Sequence, residues 1–343
     1  MPFRCIVVAI DKLKILFESQ DYEHLRCIES LFRYHLCKCD EEGKEIACNH
    51  RVFIQELIPH SEASHNLCRL LKESRPVWKG KYCEGSVRKN IRKYETADGE
   101  RELYDMDSQL YVIHNRHKKE STCYIKGKSR KNGLYLFKRS GSLAIFLAHT
   151  ICGMYKMHTV HASCVEINGG AYLFLGQSGM GKTTLCHDLV ERGYSYMGDD
   201  LVFLQEIEGK IVVHSWLCPA KVCSSEKGCA HKETVDYLLQ PSTHYSYSSP
   251  LKGIFHLQKT ENKESAREAV PPISIFTWLI DSSNNLSLQY QREAWISTCQ
   301  EAALSIPGYT LFYGNRSTFP LSLILDNNDN CKPKEVPKDE THR

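Results

Sequence analysis

The 343-residue sequence has no dominant charge. Its 44 Lys and Arg stand against 41 Asp and Glu, a formal net charge of +3. That removes a global electrostatic pull toward nucleic acid or a membrane surface. No apolar run reaches the length of a membrane-spanning helix. No internal repeat is visible in residues 1–140. The opening stretch, Met1 to Ile10, meets Asp11 too soon for a signal peptide and lacks a cleavage site, so a cytoplasmic protein is expected. What is present, 42% apolar and 25% charged residues, reads as globular, and the length suits two domains.

Cysteine is abundant, at 16. The cysteines are scattered from Cys5 to Cys331, without the dense spacing of a secreted disulfide scaffold. In a reducing compartment they are expected as thiols, and Cys152, Cys164 and Cys186 fall inside apolar runs as buried fillers. Cys37, Cys39, Cys48 and His50 bracket a charged turn and offer two soft-ligand pairs for zinc. Their C-x-C and C-x-H spacing fits unligated thiols better. Cys218, Cys223, Cys229 and His231 form a second loose cluster of the same standing.

Residues 1–140 read as an α+β module without a catalytic motif. Strands are expected at 5–10, 52–54, 110–113 and 134–137. A helix is expected over 22–36, with Leu25, Ile28, Leu31 and Phe32 at helical spacing. Between Ser86 and Arg139 basic residues are frequent, among them Arg92, Lys93, Arg116, Lys128 and Lys138. They make either a solvated face or a dock for an acidic peptide or protein. Nucleic acid is the poorest fit, because no aromatic residues are interleaved as stacking platforms. Residues 326–343 are polar and rich in Pro, Lys and Asn, and a disordered tail is expected there.

Residues 141–325 carry the chemistry. A helix is expected over 142–155, capped by Ser142. A strand over 159–167 then leads through the Asn168-Gly-Gly170 turn into the apolar run Ala171-Tyr-Leu-Phe-Leu175. Next comes Gly176-Gln-Ser-Gly-Met-Gly-Lys-Thr-Thr184, which fits the phosphate-loop pattern G-x-x-x-x-G-K-[ST]. A helix-like run follows and stops at Gly193. Strand, glycine loop and helix are the context this motif needs. Backbone amides and the helix N-terminus favour a polyphosphate. Lys182 would reach the outer phosphates, and Thr183 would ligate Mg²⁺. A further strand approach, Tyr194 to Met197, runs into Gly198-Asp199-Asp200. Phosphoryl transfer uses one carboxylate to support Mg²⁺ and, in kinases, another to accept the acceptor's hydroxyl proton. Residues 215–247 lack periodicity and suit a lid or substrate loop. Phe276 to Ile280 reads as a buried strand, and 302–313 as a helix, Pro307 and a final strand.

His161, the loop Gly176 to Thr184 and Asp199-Asp200 together resemble the catalytic constellation of the HPr kinase/phosphorylase family, in the same order and spacing. The likeness covers about residues 140–320. It implies an α/β core with a mixed sheet, P-loop-containing and phosphoenolpyruvate-carboxykinase-like, beside the N-terminal α+β module. It also implies ATP and Mg²⁺ as cofactors. ATP would be bound by Gly176, Ser178, Gly179, Gly181, Lys182, Thr183 and Thr184. Thr183 and Asp199 would hold the metal, Asp200 would act as base, and His161 would orient that base. The two aspartates' roles are interchangeable at this level. Lys252 stands where the family has a basic residue before a glycine, and would meet the γ-phosphate or else lie at a strand edge. Pro250 and Leu251 replace the acidic neighbour found in bacterial HPr kinases, which points away from phosphorylase activity and from HPr as acceptor.

The resemblance therefore implies a serine kinase acting on a peptide or small protein, best matched by kinases of ribosomally made, lasso-type precursor peptides. HPr serine kinase and a non-catalytic nucleotide-binding regulator are the alternatives. A homo-oligomer is also implied.

Overall fold

A computed structural model of the chain describes residues 4–37, 47–84, 87–106, 108–126, 143, 146–217, 220–223, 232–235, 240, 243–260, 265–283, 292–313 and 321–325. The strand expected at 134–137, the cap at Ser142, the tail 326–343, and Cys39, Cys218, Cys229, His231, Lys128 and Lys138 lie outside them. The chain divides into two compact units. The first runs through Tyr155 and the second begins at Lys156, so the boundary falls later than the expected 140. The reason is packing: Phe146 meets Tyr104 of the first unit edge-on at 5.4 Å. The helical stretch that follows continues as a π-turn, Leu147–Ile151, and ends at Cys152–Met154.

The first unit is built on strands β1 (Arg4–Ile10), β2 (Leu13–Ser19), β3 (Leu36–Cys37), β4 (His50–Leu57), β5 (Arg75–Glu84), β6 (Val87–Glu95), β7 (Arg101–Met106), β8 (Leu110–Asn115) and β9 (Glu120–Lys126). They form one sheet in the order β3-β1-β2-β4-β9-β8-β7-β6-β5. The β2–β4 and β4–β9 pairs are parallel, and the rest are antiparallel. Helix α1 (Tyr22–Phe32) is capped by Asp21, whose side chain accepts from the Glu23 amide, and it buries Leu25, Ile28 and Phe32. It stops before the expected Leu36, because the His35 carbonyl accepts from Ala9 and the chain joins β1 as β3. Helix α2 (Glu62–Glu73) is capped by Ser61. Part of the basic stretch is already neutralised inside the sheet. Lys93 and Arg116 both reach Glu102, at 2.5 and 2.6 Å, and Arg92 faces Asp105 at 3.9 Å. Of the three, Lys93 is largely buried, while Arg92 and Arg116 stay about half exposed.

The second unit contains β10 (His158–Val160), β11 (Ser163–Ile167), β12 (Gly170–Leu175), β13 (Ser195–Gly198), β14 (Val202–Ile207), β15 (Lys210–Ser215), β16 (Ala220–Cys223), β17 (Lys232–Val235), β18 (Ser248–Lys259), β19 (Ala266–Ala269) and β20 (Gly308–Tyr313). The main sheet runs β10-β14-β15-β18-β12-β11-β13, with β20 also on β18 and β19 on β20. It is mixed: β18 runs parallel to both β12 and β20, while β11 runs antiparallel to β12. This is an α/β architecture, with helices α3 (Lys182–Glu191), α4 (Pro272–Asp281) and α5 (Arg292–Ser305). Trp216, Trp295, Phe174, Phe203 and Phe255 are fully buried. The segment 276–280 is helical, not a strand. Pro272 starts α4 in the position a helix tolerates best, and Ile275 and Leu279, one turn apart, are its buried residues. The region 215–247 is not wholly irregular either, because β16 and β17 pair as a hairpin arm and Tyr245 bridges to Tyr196.

Candidate active site

β12 delivers the chain into the glycine loop 176–184, and three of its glycines adopt backbone angles closed to most residues. Gly176, Gly179 and Gly181 have φ of 133°, 85° and 98°. Gly176 is also a point of close approach: a Cβ there would stand 3.1 Å from the Leu257 carbonyl oxygen. Gln177, Ser178 and Gly179 form an exposed crest. Lys182 is buried and folds back over the loop, donating from Nζ to the carbonyls of Gly176 at 2.7 Å and Gln177 at 3.3 Å. These are neutral acceptors that an anion can replace. Thr184 is buried, and Thr183 is half-buried at the start of α3. The helix ends as expected at Gly193, whose amide donates to Val190.

The carboxylates sit where two ladders part. β10 and β14 end their pairing at Val160–Val202, and β11 and β13 take up pairing at Cys164–Gly198. Between those points His161, Ala162 and Ser163 run opposite Asp199, Asp200 and Leu201. The expected single strand over 159–167 is therefore two strands, and His161 lies at the break between them. Its amide donates to the Ser282 carbonyl. Asp199 is 1% exposed, and its Oδ1 accepts from the Ser163 hydroxyl at 2.5 Å and the Thr183 hydroxyl at 3.0 Å. Asp200 is half-buried and takes a left-handed backbone, φ 68°, which is uncommon for a residue with a Cβ and tolerated by Asp. The structure thus brings the loop, Thr183, Asp199, Asp200 and His161 to one end of the sheet. Ser163 belongs with them, and no local pattern in the sequence marks it.

Lys252 does not join them. β18 runs parallel to β12, with Leu251 opposite Ala171 and His256 opposite Leu175. Lys252 is consequently level with the start of β12, over Gly170, and the loop leaves from the other end. The residue of β18 that stands at the loop end is His256. Its ring stacks on Trp278 of α4 at 4.8 Å and 16° between planes. Of the zinc candidates, Cys39 lies outside the described residues. His50 is buried and turns Nε2 to the Ser121 hydroxyl, and among the described residues no group of three His, Cys, Asp or Glu side chains gathers around a metal position.

Residues 153–219, which hold the loop and both carboxylates, match the HPr Serine kinase C-terminal domain. This segment is HPr kinase-like. An HPr kinase/phosphorylase of Chlorobium luteolum is 33% identical over 76 residues, 21% of this chain and 22% of that one. One from Mycoplasma mycoides is 30% identical over 108 residues, covering 30% and 34%. The chain thus spans between about a fifth and a third of the length of these curated relatives. The HPr(Ser) kinase/phosphatase of Coxiella burnetii aligns in three dimensions over 46% of this chain and 87% of its own, at 16% identity and a TM-score of 0.27. The HPr kinase-like segment coincides with the parted ladders and the loop, and leaves the first unit almost untouched.

Proposed function

We propose that the chain is an ATP-dependent kinase that phosphorylates a serine hydroxyl of a peptide or small protein, with a ribosomally made, lasso-type precursor peptide as the acceptor. The observation that carries this reading is the bond from the Thr183 hydroxyl to Asp199 at 3.0 Å, directly behind the loop lysine. It joins the first helical residues after the phosphate loop to a buried carboxylate, the pairing a nucleotide-bound Mg²⁺ requires. Thr183 and Asp199 are hard oxygen donors and would hold a Mg²⁺. When bound, the ion supplies neutralising charge to the phosphates.

The protein's own groups divide the rest of the work. Loop amides and Lys182 hold the β- and γ-phosphates. Asp199, engaged by Thr183 and Ser163, serves the metal side. Asp200, half-buried in a left-handed turn, is the base in this reading. The acceptor oxygen attacks the γ-phosphorus, the bond to the β-bridging oxygen breaks, ADP leaves, and the acceptor's proton passes to Asp200. His161, across the parted ladders, orients that carboxylate.

The test is intact-mass analysis of two acceptors incubated with the protein and Mg-ATP, one being HPr and the other the precursor peptide encoded beside the gene. A single phosphate on the peptide supports the proposal. Phosphate on HPr alone assigns the protein to HPr phosphorylation. Tight Mg-ATP binding with no transfer makes it a nucleotide-binding regulator. Lys182→Ala and Asp200→Asn are each expected to lower transfer by at least about 100-fold, in line with the loss of a charge-stabilising or proton-accepting group. Full activity in either variant would sink the assignment of roles.

A further inference from the structure

We infer that His256 is a second cationic contact for the nucleotide's polyphosphate, binding a proton as the phosphates settle beside Lys182; this rests on the nucleotide reading of the Gly176–Thr184 loop. The placement comes from strand register. His256 is opposite Leu175, the last residue of β12, and the next residue, Leu257, lays its carbonyl against Gly176. In sheets of this type ligands lie beyond the carboxyl ends of parallel strands, and β12, β18 and β20 run parallel here. His256 stands at that edge.

Its surroundings are arranged for a phosphate contact. Trp278 holds the ring in one plane by stacking, which fixes where its nitrogens can point. Nδ1 is buried and has no hydrogen-bond partner among the described residues. The charged groups facing the ring are Lys182 of α3 and Asp281 of α4, while the neighbouring strands present Leu175 and Thr310 at its level. Burial, and then the Lys182 charge, push the imidazole below its usual value, against a smaller upward pull from Asp281. In the free protein His256 is therefore neutral at pH 7. A polyphosphate in the loop reverses the sign of the local field, because its negative charge outweighs one lysine. The imidazolium then gains an anionic partner, and nucleotide binding takes up a proton.

Linkage gives the sign. A group that is more basic in the complex than in the free protein makes binding tighten as pH falls from the complex's value toward the free one. The probe is Mg-ADP, which binds the loop without transfer, titrated calorimetrically against the full chain and His256→Gln at pH 6, 7 and 8. The nucleotide's own ionisation is common to both proteins and cancels in the ratio of their Kd values. That ratio is expected to rise from near unity at pH 8 to about tenfold at pH 6, the scale of one charge-assisted contact. Titrations in two buffers of different ionisation heat should show greater proton uptake by the native chain. His256→Lys, which keeps a cation, should bind at pH 8 more tightly than His256→Gln. A ratio that stays constant with pH, with equal proton uptake, overturns the inference even if His256→Gln binds weakly, since a packing defect carries no pH signature. Absence of Mg-ADP binding to the native chain overturns the nucleotide reading itself, and the inference with it.

Discussion

At the scale of single residues, the first unit holds a buried imidazole pair with a defined pH consequence. His50 Nε2 and His114 Nδ1 share the Ser121 hydroxyl, at 3.0 and 2.9 Å, and the two rings stack at 5.4 Å. One hydroxyl has one proton to give, so one ring accepts it and the other donates its own N–H to the oxygen. The accepting ring must be neutral, and burial disfavours charge on both. Burial lowers His50 to about 3, helped by His114 and Lys119, and lowers His114 to about 4. In the unfolded chain each returns to about 6.5. The unfolded state therefore binds more protons between those values, and stability falls as pH drops below about 6.5. His35 and His149, lowered by burial to about 4 and about 3, act in the same direction. The first unit is expected to lose stability steeply between pH 7 and 5, by up to about 1.4 kcal/mol per pH unit for each such histidine. Denaturant melts followed by hydrogen exchange in β4, β8 and β9 would measure it. His114→Gln should flatten the pH dependence while lowering stability at pH 7.5. A native chain equally stable at pH 7.5 and 5 would refute the account.

At the scale of elements, the packing of α4 on β20 is tight enough to test directly. A Cβ on Gly308, the first residue of β20, would stand 2.4 Å from Ile275 Cγ1 and 2.5 Å from its Cδ1. Gly308→Ala must push α4 away from the sheet, at an expected cost of about 1–3 kcal/mol in chemical denaturation, because an over-packed core yields only through strain. A variant as stable as the native protein would mean that Ile275 can move aside without cost. The same helix shows where sequence reading stops. Phe276-Thr-Trp-Leu-Ile280 is a short apolar run, which fits strand or helix equally well until Pro272 and the spacing of Ile275 and Leu279 are weighed with it. The strand, glycine loop and helix over 170–191, in contrast, were legible in full, because they are contiguous and each imposes its own backbone geometry. The Asp199-Asp200 pair was visible as a local pattern, but the different surroundings of its two members were not. Ser163 and Thr183 reach Asp199 only through the fold. Lys252 and His256 exchanged places for a non-local reason as well. Only the parallel register of β18 against β12 decides which residue of that strand meets the loop. The break at His161 is another product of pairing, since nothing between Thr159 and Ile167 interrupts the β-prone sequence.

At the scale of the whole chain, the two units have separate sheets, and Thr183, Asp199, Asp200 and His161 of the candidate site all fall in the second. The residues matched by the kinase domain, 153–219, fall almost wholly in the second unit. The acid-sensitive imidazole pair falls in the first. These assignments make opposite demands on the same experiment. A ligand that binds only the folded second unit stabilises it by about 2.7 kcal/mol at a hundredfold excess over Kd. Mild acid weakens the first unit through His50 and His114. Thermal unfolding at pH 5.5 with saturating Mg-ADP should therefore resolve into a low transition carrying β1–β9 and a high one carrying β10–β20, as read by hydrogen exchange with mass spectrometry. Lys182→Ala should remove the nucleotide's upward shift and leave the low transition where it was. If Mg-ADP raises protection equally in both units, their folding is coupled. The first unit would then be a thermodynamic part of the nucleotide site, not an independent module.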